Sequence, residues 1–422
     1  MFSWLKQVFG DNWRRRLRCL GAGLGVMGFT PAQLAVTSDL LPVIEARIPG
    51  GNADAAALIQ AAVDRAASSH ATVKLPAGSY FLARSVVIPG GMGLEGDANG
   101  TTLAPLGTNG SNPVLLDFPV GTTRVSVRHL LFDGGGIDFT NASPLVTATG
   151  ASYIVFDGVT VRNSRGAGLL MQGGMRDSGV QHSRFLNLGN HWKTTLNKAD
   201  RIQGLIFCCG ESNMNNFATD NYFQDIGLDA LQIGDQTRFY AAGNVFELAN
   251  RQFQLVPASD YPAGIFALHS AEVVMVNNVI HDAAGNGIDA PGLLNSCISN
   301  NVVSGCGGCG IGLFLGYDGQ RQSKGVTVVG NTVTDNVRWR LSSFVGGITI
   351  AGGTPSDVRI AGNTVTDTQA EETQAYGIQV CEKTQVTRLI IDRDNHLAGN
   401  RMGEMIGTGE GSHPAVGAST LH

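Results

Sequence analysis

The chain has 422 residues, a formal net charge of −5 and an isoelectric point near 6.0, so it lacks the strong basic charge typical of nucleic-acid-binding proteins. Hydrophobic residues make up 43% of the chain and charged residues only 15%, with 57 Gly, a composition that supports a large core with many tight turns and excludes an extended disordered chain. Length alone predicts two or three domains, but the repeat that runs through the chain indicates a single one.

The first 36 residues are predicted to be an export signal. A basic cluster (Arg14, Arg15, Arg16 and Arg18) precedes a short, Gly-rich apolar run, and small residues follow near Ala35. The Arg pairs favour the twin-arginine route. Gln33 departs from the preferred cleavage pattern, so a retained membrane anchor is the alternative. Export predicts a periplasmic or extracellular protein with no membrane attachment once the signal is removed.

Residues 37–100 are predicted to form the N-terminal cap helix and the entry strands. The stretch from Asn52 to Ser69 is an amphipathic helix, with Asn52 or Asp54 as its cap. A helix that buries one face at the start of a repeat array closes the open end of the core.

Residues 101–400 carry a repeated strand unit in which apolar residues alternate with period two. Six Asn-x-apolar segments recur at spacings of 23, 34, 23, 30 and 32 residues; they begin at Asn221, Asn244, Asn278, Asn301, Asn331 and Asn363. A short strand unit buries its apolar face only by stacking on its neighbours, which predicts a solenoid. The Asn is expected at a corner, where it tolerates left-handed angles and can hydrogen-bond the Asn of the next coil.

These elements together predict an all-β, right-handed parallel β-helix with an N-terminal capping helix. The Ala-rich helix, the motif carried by Val73, Leu75, Pro76, Gly78 and Tyr80, and the Asn coils resemble the pectin-lyase-like β-helix superfamily over about residues 50 to 400. The resemblance implies the fold; members include polysaccharide lyases, glycoside hydrolases, uronate epimerases and non-enzymatic adhesins. The Asp-Pro-His-Asp signature of mannuronan epimerases is absent, although the segment around Asp289 has its Asp. Residues 401–422 lose the period and are predicted to be a C-terminal tail.

The cysteines do not indicate a metal site. Cys306 and Cys309 form a single CxxC pair without a second pair or a His at ligand spacing, and Cys208 and Cys209 are adjacent. Buried thiols are the preferred interpretation, and one disulfide stays open. No cofactor is predicted; calcium stays open without a motif that supports it.

Strand parity places a column of outward residues on the strands that follow each corner. Asp289 lies in this column, with Glu247 and His281 predicted as neighbours on the Asn strands. We expect Asp289 with Glu247 or His281 to supply acid and base, with Asp229 as a further carboxylate. Aromatic and polar residues on or near this face are predicted to bind substrate: Phe266, Phe314, His269 and Gln232.

Three long insertions are predicted at one corner and would form walls beside this face. Their basic and aromatic residues suit an acidic polysaccharide: Trp192, Lys193, Arg251, Trp339 and Arg340. Each polar candidate also fits an ordinary solvated surface, and Phe266 also fits packing under its loop. The sequence therefore predicts a secreted protein acting on a polysaccharide by lyase or hydrolase chemistry, with a non-catalytic polysaccharide-binding or structural cell-surface protein as the alternative.

Overall fold

The computed structural model describes residues 41–48, 51–107, 114–136, 143–189, 203–248, 262–316, 319, 321–339, 343–407 and 415–416. The predicted export signal, residues 1–36, lies outside this part of the chain. The described strands wind into three parallel sheets, A, B and C, and from β3 onward the chain passes through them in that order; the first coil supplies strands to sheets A and B and then continues into a helix. This is the right-handed parallel β-helix that the repeat predicted.

Sheet A holds the strands that precede the Asn corner. Its described strands are β1 (Val43–Glu45), β3 (Thr72–Leu75), β6 (Met92–Gly96), β9 (Thr123–Arg128), β12 (Ser152–Asp157), β15 (Gly179–Gln181), β18 (Asn213–Thr219), β21 (Gln236–Ala242), β24 (Ala271–Val276), β27 (Cys297–Ser299), β30 (Thr327–Val329), β33 (Ser356–Ala361), β36 (Thr387–Ile391) and β39 (Ala415–Val416).

Sheet B holds the strands that follow the Asn corner. Its described strands are β2 (Gly51–Asp54), β4 (Gly78–Leu82), β7 (Thr101–Pro105), β10 (Leu130–Asp133), β13 (Thr160–Ser164), β16 (Arg184–Leu188), β19 (Tyr222–Ile226), β22 (Val245–Glu247), β25 (Val279–His281), β28 (Val302–Ser304), β31 (Thr332–Thr334), β34 (Thr364–Thr366) and β37 (His396–Ala398).

Sheet C closes each coil. Its described strands are β5 (Val86–Val87), β8 (Leu116–Phe118), β11 (Val146–Thr149), β14 (Leu169–Gln172), β17 (Leu205–Cys208), β20 (Leu231–Gly234), β23 (Ile265–Leu268), β26 (Ile288–Pro291), β29 (Ile311–Phe314), β32 (Gly346–Ala351), β35 (Tyr376–Val380) and β38 (Gly403–Gly407).

The Asn residues form the predicted ladder inside the corner between sheets A and B. Each ladder Asn donates its backbone N–H and its side-chain Nδ2 to the Oδ1 of the Asn one coil further on, at 2.9–3.1 Å. Asn395, which the sequence analysis missed, extends the ladder by one coil beyond Asn363. The expected left-handed angle falls elsewhere: it belongs to the residue before each of the six predicted ladder Asn, such as Asn277 (φ 57°) before Asn278.

The core fills the inside of the coils with one apolar column for each sheet. On sheet B, Phe185, Phe223 and Phe246 stack along the axis with ring centroids 4.9 and 4.7 Å apart. Adjacent coils of a parallel sheet lie one strand spacing apart, so equivalent rings meet face over face. Nearly all these side chains are fully buried, as the alternating pattern requires.

The single predicted helix is α1 (Ala56–Ser69), which is shorter than expected because residues up to Asp54 belong to β2. Asp54 Oδ1 accepts the backbone N–H of Ala56 and of Ala83, both at 3.0 Å, so it orders the first turn without being the N-cap residue itself. The buried face of α1 contacts β3, β5 and β6 at the start of the coils.

The C-terminal end of the predicted coil region extends further than expected. Regular strands continue past residue 400, because β38 pairs with β35 and β39 pairs with β36.

No helix within the described residues has the length and apolar character needed to cross a bilayer.

Candidate functional site

The strands of sheet C align a row of outward-pointing residues, which we call the outer column. Continuous parallel register joins Leu170, Ile206, Gln232, Phe266, Asp289, Gly312, Thr349 and Gln379. Asp289 lies in this column, as strand parity predicted, with Gln232 and Phe266 on the two coils before it. In the chain, the predicted long insertions fall between a strand of sheet B and the next strand of sheet C: between β16 and β17, β22 and β23, and β31 and β32.

Asp289 is buried although it points away from the core, with 8% of its surface exposed. One carboxylate oxygen, Oδ2, accepts a hydrogen bond of 3.0 Å from Asn286 Nδ2. The other oxygen, Oδ1, is buried without a hydrogen-bond partner among the described residues. Burial raises the pKa of Asp289 to about 7, and the Asn286 hydrogen bond opposes this rise only in part. A carboxyl group with this pKa exchanges its proton near neutral pH.

Asn286 fixes the orientation of the Asp289 carboxyl group. Its Oδ1 accepts the backbone N–H of Cys309 at 3.0 Å, so its Nδ2 is the end that faces Asp289. Cys309 is fully buried, and burial raises the pKa of its thiol well above the ordinary value, which keeps it neutral. Asn286 was not among the predicted site residues; its position three residues before Asp289, across a tight turn, was the signal in the sequence.

Aromatic rings flank Asp289 on both sides. Phe266 is its neighbour on the preceding coil and is itself 8% exposed. Phe314 pairs with Pro291, so its backbone lies two residues along the strand from the outer column. Its ring nevertheless turns back over Gly312, which is the neighbour of Asp289 on the following coil. A Cβ at Gly312 would lie 2.1 Å from the Phe314 ring, so only Gly leaves space for this arrangement.

A polar wall stands beside the C-terminal end of the outer column. Gln379 Oε1 accepts the N–H groups of Val345 and Gly346 at 2.8 and 3.1 Å, and its Nε2 donates to Ser343 O at 3.0 Å. These bonds hold Phe344, whose ring centroid lies 5.0 Å from that of Phe314. Phe344 was missed by the sequence analysis because it stands inside an insertion that has no period.

Two further predicted residues, Asp229 and Gln232, lie on the N-terminal side of Phe266 and are hydrogen-bonded to other groups. Asp229 is buried and its Oδ1 accepts the N–H of Ala263 at 2.9 Å, so this carboxylate orders the entry into the following strand of sheet C. Gln232 Oε1 accepts a 3.0 Å hydrogen bond from Gln203 Nε2. Both residues lie on the coil before Phe266.

Glu247 and His281 are neighbours in the register of sheet B, as predicted, but their side chains turn to different partners. The Tyr222 hydroxyl donates a hydrogen bond to Glu247 Oε2 at 2.5 Å. Burial of the phenol is the largest cause that raises the pKa of Tyr222 to about 12, and the Glu247 carboxylate is the second. His281 Nδ1 lies 2.6 Å from Ser304 Oγ. Among the described residues, no hydrogen bond or ion pair joins Glu247 to His281, or either of them to Asp289.

The remaining candidates lie around the rim. The His269 ring lies against Gly292 and Gly316, and its carbonyl accepts Arg321 Nη1 at 3.1 Å. Trp339 lies against Gly307, donates its backbone N–H to that residue's carbonyl at 3.2 Å and stays 41% exposed. Four predicted wall residues lie outside the described part of the chain: Trp192, Lys193, Arg251 and Arg340.

Within the described residues, no three His, Cys, Asp or Glu side chains are grouped so that they could hold a metal ion. The chemistry that the described site offers is therefore that of a buried carboxyl group between aromatic rings. The sheets, the ladder and the outer column define the class of this chain, a right-handed parallel β-helix with its candidate site on the outer face of one sheet.

Comparisons with known proteins agree with this class. Residues 205–401 match the family model described as right handed beta helix region. No curated protein sequence matches the chain. The A-module of the mannuronan C-5 epimerase AlgE6 from Azotobacter vinelandii has a similar structure, with a TM-score of 0.63 and 17% identity over 85% of this chain and 97% of that one.

Two further solved structures share the fold. The surface protein and adhesin PfbA of Streptococcus pneumoniae has a TM-score of 0.60 at 14% identity, covering 86% of this chain and 100% of the adhesin chain. A tailspike protein mutant of E. coli bacteriophage HK620, solved in complex with a pentasaccharide, has a TM-score of 0.57 at 17% identity, covering 84% of this chain and 64% of the tailspike chain. Identities this low establish the fold alone.

Proposed function

We propose that this protein is exported and acts on an acidic polysaccharide by lyase or hydrolase chemistry, with the reacting sugar over Asp289. The observation that carries the proposal is the Asp289 carboxyl group, which is buried on the outer face of a sheet, has its pKa raised to about 7 and has one oxygen without a hydrogen-bond partner in the described part of the chain. Perturbed carboxyl groups of this kind are costly to the fold and are concentrated at functional sites.

Asp289 is the proton donor in this mechanism. Asn286 Nδ2 donates to Oδ2, so the proton of the neutral acid sits on Oδ1, which has no partner among the described residues. Oδ1 is buried, so substrate would first have to displace the side chains that cover it; the proton would then pass to the glycosidic oxygen as the bond to the leaving sugar breaks. Phe266 and Phe314 supply apolar faces on which sugar rings stack.

The second reacting group is one of the predicted candidates. In a lyase, His281 would remove the proton beside the uronic carboxylate, because the unprotonated ring nitrogen of a neutral imidazole can accept a proton. In a hydrolase, Glu247 or Asp229 would pair with Asp289. Each of these three holds another partner in the described structure, so substrate would have to draw one of them toward the sugar.

The similarity to the epimerase module and to the tailspike bound to a pentasaccharide supports a saccharide ligand. The rival function is non-catalytic polysaccharide binding. It is favoured by the engagement of Glu247, His281 and Asp229 with other partners, and by the similarity to an adhesin.

The test is activity of the mature protein on a panel of uronic-acid and neutral polysaccharides, read by ultraviolet absorbance of unsaturated products and by new reducing ends. Asp289→Asn should abolish product formation. Asp117→Asn is the matched control, since Asp117 lies on the same face several coils away and accepts a hydrogen bond from Thr147. Absorbance lost only in Asp289→Asn identifies a lyase, and reducing ends without absorbance identify a hydrolase.

The pH profile tests the assigned role. As the proton donor, Asp289 must be neutral, so the rate should fall as pH rises through about 7. A rate that rises through this range would make Asp289 the base. Saccharide binding without product would replace the catalytic proposal with the binding one.

A further inference from the structure

The Cys208–Cys209 pair forms a disulfide between adjacent residues at the end of β17. Its two halves differ in surroundings. Cys208 is 3% exposed and packs with Ala167, Leu170 and Ile206 in an apolar cluster separate from the core, whereas Cys209 is exposed to solvent. Two of the cluster residues belong to the outer column, so the disulfide lies on the same face of sheet C as the candidate site.

This bond cannot act as an ordinary stabilising cross-link. A disulfide stabilises chiefly by closing a loop in the unfolded chain, and its effect grows with the number of residues enclosed. Cys208 and Cys209 are one residue apart, so the bond encloses a single peptide unit. In contrast, Cys306 and Cys309 are fully buried and remain free thiols. The adjacent disulfide therefore needs an explanation other than global stability.

The disulfide lies in the turn that follows β17. Cys209 has a left-handed backbone (φ 58°), and its carbonyl accepts the N–H of Gly173 from the preceding coil at 3.0 Å. Asn213 continues the same turn: its Nδ2 donates to Gly210 O at 2.8 Å, and its Oδ1 accepts the N–H of Gly174 at 3.0 Å. A left-handed angle is unfavourable for a residue with a Cβ, so the ring closed by the disulfide helps to keep Cys209 in place.

We propose that the Cys208–Cys209 disulfide is a redox modification site whose reduction releases this turn. The reductant is a dithiol. Its thiolate attacks Cys209 Sγ, the accessible sulfur, and the S–S electron pair leaves on Cys208 Sγ, which takes up a proton. The second thiol of the reductant then displaces Cys209 from the mixed disulfide. The protein gains two electrons and two protons, and the reductant becomes a disulfide.

Reduction removes the ring that fixes Cys209, so its carbonyl is no longer held toward Gly173. The amide of Gly173 then exchanges its hydrogen faster, and so do those of Gly174 and Met175, which donate to Asn213. Because Ile206 lies beside Gln232 on sheet C, the change reaches the N-terminal end of the outer column. The proposal does not depend on a saccharide substrate.

The test uses the full chain, folded, with dithiothreitol as the dithiol probe. After native reduction, iodoacetamide alkylation and peptide mapping should show alkylation at Cys209, with Cys306 and Cys309 unlabelled. Hydrogen exchange of the peptide containing Gly173 should accelerate on reduction and recover on reoxidation, while peptides of β30 and β33 stay unchanged.

The double variant Cys208→Ala with Cys209→Ala is the matched control. Its Gly173 peptide should exchange as fast as in the reduced wild type and should not respond to dithiothreitol. The proposal fails if the oxidised protein already carries free thiols at both positions, if the disulfide resists reduction until the protein unfolds, or if reduction leaves the Gly173 amide protected.

Discussion

At the scale of single residues, Asp289 lies in an environment that opposes the charge of its side chain. A carboxylate is favoured by water or by donors, yet within the described ranges Asp289 has one donor to Oδ2 and none to its buried Oδ1. The neutral form avoids the cost of burying a charge, and this is why its pKa rises to about 7. The same burial that destabilises the charged form makes the group useful for proton transfer near neutrality.

Asp289→Asn should make the protein more stable at alkaline pH. The folded-state pKa of about 7 exceeds the ordinary 3.8, so the contribution of Asp289 to stability is fully present below about pH 4 and is lost as pH rises toward 7. At about 1.4 kcal/mol for each pKa unit, the buried charge costs about 4 kcal/mol at pH 8, which the neutral Asn avoids. Urea unfolding of both proteins at pH 4 and pH 8 measures the difference. Thr349→Val, which changes no ionisable group, is the control, and a pH-independent advantage for Asp289→Asn would contradict the assigned burial.

Asn286→Ala should raise the pKa of Asp289 further above 7. The Asn286 amide donates to the carboxylate and so favours its charged form, and removing it leaves desolvation unopposed. Carbon-13 NMR titration of the carboxyl groups, with the Asp289 signal assigned by its absence in Asp289→Asn, gives the value directly. Ser304→Ala, which alters only the sheet B partner of His281, should leave it unchanged. A lowered pKa in Asn286→Ala would show that the amide points the other way.

At the scale of elements, the Asn ladder joins the coils through buried amides. Each Asn satisfies the backbone N–H and the side-chain NH₂ of its predecessor, and its own Nδ2 also reaches a carbonyl of sheet A, such as Met275 O from Asn301. Buried amide groups are stable only when paired, so each rung depends on the next. The left-handed residue before each of the six predicted ladder Asn turns the chain into the corner.

Asn301→Ala should lower the free energy of unfolding by roughly 2–6 kcal/mol. It leaves the backbone N–H of Asn278 and one of the two Nδ2 hydrogens of Asn278 buried without an acceptor, at about 1–3 kcal/mol for each, while the other Nδ2 hydrogen still bonds Ala241 O. Asn395→Ala at the end of the ladder is the matched control and should cost less, because its surroundings are only half-buried and water can replace it. Denaturant unfolding measures both. If both variants lost the same free energy of unfolding, the contribution of a ladder hydrogen bond would not depend on how deeply it is buried.

At the scale of the whole molecule, the strand pairing of each sheet joins a coil to the coil before it and the coil after it, so the first and last coils each lack one such neighbour. Helix α1 covers the first coils with a face that includes Ile59 and Val63, both fully buried. Leu58, one residue from Ile59, is 48% exposed. The helix thus offers a buried and an exposed apolar residue side by side.

Ile59→Ala should cost about 2–5 kcal/mol, the range for removing a buried aliphatic side chain. The loss should begin in the coils next to α1, so hydrogen exchange should accelerate in β3 to β7 and stay slow in β30 to β33. Leu58→Ala is the control and should change stability by no more than about 0.5 kcal/mol. If exchange accelerated uniformly along the chain, the capping role of α1 would be refuted in favour of one cooperative unit.

The sequence by itself determined the β-helix, the Asn ladder, the helix at its start and the outward column that contains Asp289. These features follow from local rules: a side-chain period of two sets inside and outside, and recurring Asn and Gly set the corners. Only the tertiary structure decided what each outward group touches. Glu247 and His281 were predicted as a pair, yet one contacts Tyr222 and the other Ser304.

The burial of Asp289, the role of Asn286 and the placing of Phe344 were likewise decided by the tertiary structure. An outward-pointing group is buried only if other side chains cover it. Here the Phe314 ring lies over Gly312 of the outer column, and the Phe344 ring packs against that of Phe314. The hydrogen bonds that join one coil to another connect residues far apart in the chain, for example 23 residues apart for Asn286 and Cys309. A local pattern contains no information on contacts across such distances, because insertions of variable length change which side chains meet.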